Sequence, residues 1–393
     1  MPDISAEIAV VGLGAMGAAT LFQLASLGAK VVGVDRYAPP HVFGSSHGET
    51  RITRCAVGEG AAYVPFAQAS HAIWREIEAE TGQTLLEACG FLAIAPDSPT
   101  EHHGRTDFLE QMQSAARRFS IPHESLSAEE ITRRFPQITG LTHGERGCLE
   151  LGGGFVHPEL CVQAQLTLAA AKGARIVTGN TVLAVRQEGG SVVVETTDGV
   201  IRADQAVVAA GAWAGPLLGA PFDRLLTVNR QVLHWFALEE DAAYAAGRFP
   251  SFIWIHGAGP SDAFYGFPSL PGSGTIKLAA EQYEVPTEAD RVDRTVAPTE
   301  AARMHREHVA GRLEGVTPHA TRSVACLYTV TPDANFIIDR HPRQDRVMVV
   351  SACSGHGFKH SAGIGKAVAE ALLGRESPFD LAPFSVGRFK GAV

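Results

Sequence analysis

Residues 8–35 read IAVVGLGAMGAATLFQLASLGAKVVGVD, and no other stretch limits the fold of this chain as tightly. Ile8–Val11 is a continuous apolar run, the pattern of a parallel strand buried on both faces. Gly12, Gly14 and Gly17 follow in G-x-G-x-x-G spacing. The first permits a tight turn, the second lets backbone approach a phosphate, and the third lets the next helix pack closely on the strand. That helix is expected to stop at Gly28, and Val31–Val34 forms a second strand. Asp35 closes this strand, where a carboxylate accepts both hydroxyls of a ribose. The glycine spacing alone is a weak signal. Flanked by strand, helix, strand and acid, it specifies a βαβ unit that holds the pyrophosphate of a dinucleotide.

A chain of 393 residues is too long for one small core, so two intimately joined domains are expected. With 45% hydrophobic and 19% charged residues it is globular rather than disordered. A count of 33 basic against 42 acidic residues leaves a formal charge of −9, and no basic run offsets it, which argues against a nucleic-acid partner. Cys55, Cys89, Cys148, Cys161, Cys326 and Cys353 show no C-x-x-C pairing, as in a reducing compartment rather than a disulfide framework or zinc site. No metal is expected of the 16 histidines either. The chain enters a strand by Glu7 or Ile8, leaving no room for a signal peptide. The longest uncharged stretch, Gln205 to Phe222, is rich in glycine and proline and suits a buried strand and turn better than a membrane span. The C-terminal Gly391-Ala392-Val393 carries no peroxisomal address, so a cytoplasmic location is the expectation.

Helical periodicity covers 66–81, with Glu76, Glu78 and Glu80 expected on the exposed face, and 106–119. Ser127-Ala128-Glu129-Glu130 opens a third helix with an N-cap serine. Nucleotide-fold patterning then returns. A helix over 158–172 ends at Gly173, and the strand Arg175–Thr178 follows. A meander covers Val182–Arg186, Val192–Thr196 and Val200–Ala203, and Ala206–Ala209 is a further buried strand. Segment 225–330 differs, with aromatic, alternating strands at Val232–Leu238, Phe252–Ile255, Ala263–Phe267 and Thr275–Ala279. Short strands Phe336–Asp339 and Val347–Ser351, a Gly-rich loop and a helix over Ser361–Leu373 complete the chain. Interleaving of this kind is typical of FAD enzymes, whose second sheet domain roofs the flavin. An NAD dehydrogenase more often places its domains consecutively. The expected fold is α/β with an α+β second domain. A Rossmann-type FAD-binding domain of 1–85, 149–224 and 333–393 is interleaved with a mixed-sheet substrate domain of 86–148 and 225–332.

Six islands occur in order: the fingerprint at 8–35; PPHVFGSSHGETRITRCAVGEGAAYVP at 39–65; VVAAGAW at 207–213; YGFPS at 265–269 leading to Lys277; ACLYTVTPDANFIID at 325–339; and SGHGFKHS at 354–361. Carrying all six, the chain resembles, over nearly its whole length, the monomeric sarcosine oxidase and N-methyltryptophan oxidase family of FAD-dependent amine oxidases, with the DAO-type flavoprotein fold.

The resemblance implies roles. Gly12, Gly14, Met16, Gly17, Asp35, Arg36, Ser45, His47, Arg51, Ala210, Gly211, Gly355, Gly357, Phe358 and Lys359 belong to the FAD site. Cys326 matches the covalent attachment position, an 8α-S-cysteinyl link formed when a thiolate adds to the activated 8α-methyl group. Taken alone it reads as an ordinary buried cysteine. Tyr328 alternates onto the same strand face, where it lines the substrate cavity or packs in the core. Arg54 clamps the substrate carboxylate with its planar fork, opposite Lys359. Outside the family context, Arg51 and Arg54 read as surface arginines of a solvated loop. Lys359 in a helical first turn is electrostatically unfavourable and needs an anion nearby. Lys277, otherwise an edge-strand gatekeeper, promotes the reaction with O₂ by stabilising superoxide, and Tyr265 is the active-site tyrosine. Catalysis therefore falls to Lys277, Arg51, His47 and Tyr265, and substrate binding to Arg54, Lys359 and Tyr328.

Two departures bear on the substrate: Glu281 and Cys55 stand where the better-known members of the family carry histidines. The implied activity is an FAD-dependent oxidase of secondary, N-methyl or N-alkyl amino acids, acting on the CH–NH group with oxygen as acceptor. Hydride passes to the flavin, the imine hydrolyses, and O₂ becomes hydrogen peroxide. The competing readings are a flavin-dependent amine or imino acid dehydrogenase with another electron acceptor, an NAD-dependent dehydrogenase, and a flavin-binding scaffold without turnover. Partners are a small amino acid and O₂, without nucleic acid or membrane, and a monomer is expected.

Overall fold

The computed structural model describes residues 4–97, 101–102 and 105–389, so Gly391–Val393 lie outside the described residues. Ile4–Val11 sits inside the nucleotide-type sheet, parallel to Val31–Val34 on one side and to Gly199–Val208 on the other. The order runs Arg175–Val177, Val31–Val34, Ile4–Val11, Gly199–Val208, Ser191–Thr196, Val182–Glu188, with Gln344–Ser351 and Ile337–His341 joining beside Gly199–Val208. Strand alternation sorts the faces. Ile8 and Val10 pack under the helices Ala15–Ser26, Val64–Thr81, Pro158–Ala171 and Ser361–Leu372, while Ala9 and Val11 face a second core with Ala214, Leu218 and Phe222. Gly17 is where the first helix touches the turn. A Cβ there would lie 1.7 Å from the Gly12 carbonyl oxygen, so no larger residue fits.

Two strands expected at Val200–Ala203 and Ala206–Ala209 are one, Gly199–Val208. Its first half pairs antiparallel with Ser191–Thr196 and its second half parallel with Val347–Val349. The polar pair Asp204-Gln205 marks the change of partner, not a turn. Beyond it the chain forms short helices at Ala214–Leu218 and Phe222–Leu225 rather than a simple turn. Glu78 also departs from expectation. It is half-buried, because its carboxylate accepts the backbone N–H groups of Leu85 and Leu86 at 2.7 and 2.8 Å. Ser127 caps Ala128–Arg134 in a full capping box with Glu130.

The second large sheet is mixed, in the order Val316–Val330, Thr227–Leu238, Thr275–Ala279, Ala263–Gly266, Ser251–Ile255, Phe91–Pro96, Glu145–Glu150, His123–Ser127. Ser251–Ile255 runs parallel to Phe91–Pro96 and the other neighbours are antiparallel. Thr275–Ala279 is therefore interior, hydrogen-bonded on both sides, and Lys277 is no edge-strand gatekeeper. A small sheet pairs Arg51–Thr53 and Leu86–Glu87 with the two edges of Gly154–Val156, and the backbone just before Arg51 reaches the second large sheet through Lys277. Among the described residues no helix is long and apolar enough to cross a membrane.

Candidate active site

A cavity of about 430 Å³ opens at the carboxyl ends of the nucleotide-type strands, within the size range of cofactor sites. Gly12, Gly14, Met16, Asp35 and Arg36 line it from the βαβ unit, and Ser45 and Arg51 from the following loop. Ala210 and Gly211 enter from the end of Gly199–Val208, and Gly355, Gly357 and Phe358 from the loop before the last helix. Gly357 is required by close approach, since a Cβ there would lie 1.7 Å from the Ala352 carbonyl oxygen. Asp35 is buried, accepting the Leu13 N–H at 2.7 Å and the Tyr37 N–H at 2.8 Å, and burial raises its pKa.

The lining fits a dinucleotide. The helix Ala15–Ser26 has Gly14 as its N-cap, with no side-chain cap and no acid in its first turn, so its positive end is open to a phosphate. Thr329 lines the cavity, and its buried hydroxyl has no partner among the described residues. His47, Cys326, Lys277 and Lys359 do not line this cavity, and Gly17 serves packing.

Arg51 stands where this cavity meets a second, smaller one, and it lines both. It donates to the carbonyls of Thr50 and Ser45 at 2.9 and 2.8 Å and lies 3.6 Å from the Cys326 sulfur. Tyr328, two residues from Cys326, also reaches both cavities, and its hydroxyl is 3.4 Å from that of Tyr265. His47 is buried beside them. Burial, then the Arg51 charge, pushes its pKa down to about 3, so it is a neutral imidazole rather than a second cation.

Lys277 is buried one layer back. Its ammonium donates to the carbonyls of Gly48 and Thr50 at 2.8 and 2.6 Å and lies over Phe267, 4.0 Å from the ring centre. Burial lowers its pKa and Arg51 adds to that; Glu159 and Glu49 oppose it. The Glu159 carboxylate accepts the N–H of Gly48 at 2.5 Å and that of Glu49 at 3.1 Å. It thereby holds Glu49 at φ +70°, a conformation a non-glycine residue keeps only when its neighbours impose it.

The smaller cavity, of about 60 Å³, is lined by Arg51, Arg54, Glu59, Tyr265, Phe267, Glu281, Tyr328, His356 and Lys359 among others. Arg54 and Lys359 do face one another, but Glu59 stands between them. Its carboxylate takes Arg54 Nη2 at 2.8 Å and Lys359 Nζ at 3.1 Å, with all three residues at most 2% exposed. Glu59 is the anion that a lysine in the first helical turn requires, and sequence reasoning did not assign it. The signal was an acid set between Gly58 and Gly60 in an otherwise apolar stretch. Burial still pushes the Lys359 pKa down to about 7. Glu281 is half-buried and accepts the Tyr283 hydroxyl at 2.9 Å. Glu159 and Tyr283 were likewise unassigned. Cys55 is half-buried beside this layer, and its backbone N–H donates to the Glu150 carboxylate.

His356 and His360 are four residues apart, a metal-ligand spacing. Their ring centres are 6.2 Å apart among Tyr63 and Phe336, and no group of three candidate ligands forms among the described residues.

The family model described as FAD dependent oxidoreductase (DAO) matches residues 7–371. The chain belongs to this family. A monomeric sarcosine oxidase of Bacillus sp. (strain B-0618) is 34% identical over 385 residues, covering 97% of this chain and 96% of that protein. An N-methyl-L-tryptophan oxidase of Yersinia pestis (strain Pestoides F) is 33% identical over 395 positions, covering 98% and 99%. Among solved structures, NikD, an unusual amino acid oxidase essential for nikkomycin biosynthesis, superposes with a TM-score of 0.81 at 23% identity over 97% of both chains. Glycine oxidase from Geobacillus kaustophilus superposes at 0.76 and 22% identity, covering 99% of this chain and all of that one. As a DAO-family oxidoreductase, the chain has the larger cavity where FAD belongs, and its glycine-lined end suits the pyrophosphate.

Proposed function

We propose that the chain is an FAD-dependent oxidase of small secondary amino acids such as sarcosine, with O₂ as electron acceptor. The observation that carries this is the smaller cavity, which joins the cofactor cavity through Arg51, Tyr328, Gly355 and Phe358 and holds two buried cations, Arg54 and Lys359. A carboxylate is the anion such a pair recognises, and Arg54 Nε is a buried donor without a partner among the described residues. At about 60 Å³ the cavity has room for about four waters, which suits a sarcosine-sized molecule better than one bearing an indole. The 33–34% identity to sarcosine and N-methyltryptophan oxidases supports the N-methyl class.

When bound, FAD supplies the redox chemistry, taking hydride from the carbon beside nitrogen and passing two electrons on to O₂ as hydrogen peroxide. The protein binds and orients. Arg54 and Lys359 hold the carboxylate, Glu59 holds these two cations in place, and Tyr265 and Tyr328 shape the cavity above Arg51. Arg51 is proposed to lie against the flavin, backed by neutral His47, with Met16, Arg36 and Ser45 along the rest of the cofactor. Cys326 is proposed to carry it through an 8α-S-cysteinyl bond, supported by burial beside Arg51 and Ser45. Lys277 is the proposed O₂-activating cation. The FAD-binding domain is proposed as 1–85, 149–224 and 333–393, and the substrate domain as 86–148 and 225–332; the membership of the two large sheets supports this division except at Glu145–Glu150, a strand of the second sheet that crosses the boundary. The relatives named monomeric support a monomer.

The test is an anaerobic panel of N-substituted amino acids scored by loss of flavin colour, followed by a peroxide assay in air. Sarcosine should bleach the flavin faster than N-methyltryptophan. Bleaching by no member of the panel sinks the proposal, and bleaching without peroxide favours a dehydrogenase.

A further inference from the structure

Between Thr275–Ala279 and the helix Pro298–Met304 the chain runs without helix or strand over residues 280–297, apart from a single bridge at Pro286. Irregular segments longer than about 15 residues are uncommon in compact domains, and those that occur are usually lids, binding loops or disordered linkers. None of these residues is buried, so little apolar packing holds the segment in place. Its root is fixed to the second large sheet. The Thr287 N–H donates to the Val228 carbonyl at 2.8 Å. Arg230, on the strand Thr227–Leu238, pairs with Glu300 at 2.7 Å and donates to the carbonyls of Asp293 and Thr295 at 2.7 and 2.8 Å. Residues 288–292 project from these anchors to the nucleotide-type sheet. There Asp290 Oδ1 accepts from Arg36 Nη1 at 2.6 Å and from Trp213 Nε1 at 2.9 Å. Arg294 makes a second tie, donating to the carbonyls of Val42 and Phe43 at 3.2 and 2.7 Å.

The two donors to Asp290 place the tip of the segment. Arg36 follows Val31–Val34 and Trp213 follows Gly199–Val208, the strands on either side of Ile4–Val11. The glycine turn that suits the pyrophosphate leaves the end of that central strand. A carboxylate bonded to both flanks therefore bridges the cavity beside the turn. Asp290, Arg36 and Trp213 all line the cofactor cavity, at the end that Asp35 marks for the adenosine half of a dinucleotide. The side chains of Arg36 and Asp290 are 40% and 54% exposed, so the bridge lies at the mouth.

We propose that residues 286–297 form a strap across the mouth of the cofactor cavity, latched by Asp290 and Arg294, and that the strap lifts for FAD to enter or leave. FAD is the cofactor of the family, so the strap serves whichever amine the enzyme oxidises. Lifting breaks one exposed ion pair and a few hydrogen bonds, and water replaces each lost partner at modest cost. The Arg230 anchor is the more protected end and stays made.

The experiment follows FAD uptake and release by the full-length Cys326→Ser protein, in which no thioether at that position can hold the cofactor. Flavin fluorescence reports association by stopped flow and dissociation after dilution. Adding Asp290→Ala should speed both association and dissociation about tenfold, the effect of losing one exposed ion pair and one hydrogen bond. Asp290→Asn, which keeps an acceptor for Trp213, should fall between the two. Arg294→Ala should also speed both steps, and because Arg294 does not line the cavity, a lost contact with FAD cannot account for that result. Association separates a latch from a binding residue: removing a contact to FAD speeds release without speeding entry. Unchanged association in either alanine variant, or faster release alone, would overturn the proposal.

Discussion

Replacing Glu59 with glutamine tests how the site is held together. In the folded protein this carboxylate is the shared partner of Arg54 and Lys359, which come from opposite parts of the chain. All three residues are at most 2% exposed, so the surface discount on ion pairs does not apply. Removing one partner from a buried charge pair costs about 3–5 kcal/mol, because uncompensated charge is left behind. Unfolding entropy for a chain of 393 residues, at about 2.1 cal/mol/K per residue, converts that into a Tm fall of about 4–6 °C. The loss should depend on pH. Lys359 has a depressed folded-state pKa of about 7, so between there and its unfolded value the unfolded chain binds more protons and stability rises with pH. Glu59→Gln lowers the Lys359 pKa further. The variant should therefore lose more at pH 6, where the lysine must be charged, than at pH 9, where it is neutral in both proteins. Formate or acetate should restore part of the Tm in the variant and add little to wild type, since it offers the two cations a replacement anion. Thermal melts of the holoenzyme at both pH values, with and without formate, measure all of this. A Tm within 1 °C of wild type, or no response to formate, would refute the bridging role.

Two further outcomes concern the cofactor side. Lys277→Met removes a buried basic group one layer behind the cavities, and at roughly 8 Å and an effective dielectric near 20 its charge contributes about 2 kcal/mol to an anion formed there, between one and two decades in rate. Double-mixing stopped flow should show reoxidation slowed by about that factor and reduction changed less than tenfold; equal slowing of both half-reactions would contradict the oxygen role. Cys326→Ser should release its flavin on acid precipitation while wild type retains it. Free flavin from both proteins would rule out the thioether link.

Much of the fold was legible because its signals are local. The glycine spacing after Ile8–Val11, the capping box at Ser127 and the alternating aromatic strands of 251–279 each encode a conformation within a few residues, and the structure has them there. Misreadings occurred where a distant partner decides. Gly199–Val208 stays one strand because Ile4–Val11 runs along it past the polar pair at Asp204-Gln205. Glu78 turns inward because a neighbouring strand presents unpaired N–H groups. Lys277 looked like an edge residue because a sequence does not show which strands flank Thr275–Ala279.

The sequence by itself determined the βαβ unit, the cofactor class and the family, since these rest on short-range spacing and on islands read in order. Only the tertiary structure decided the chemistry of the substrate cavity. Glu59 and Lys359 are 300 residues apart in the chain and 3.1 Å apart in space. Glu281, just past the strand Thr275–Ala279 of the second sheet, lines the same space. Charge state follows from burial and from the nearest charges, and both are properties of the folded molecule.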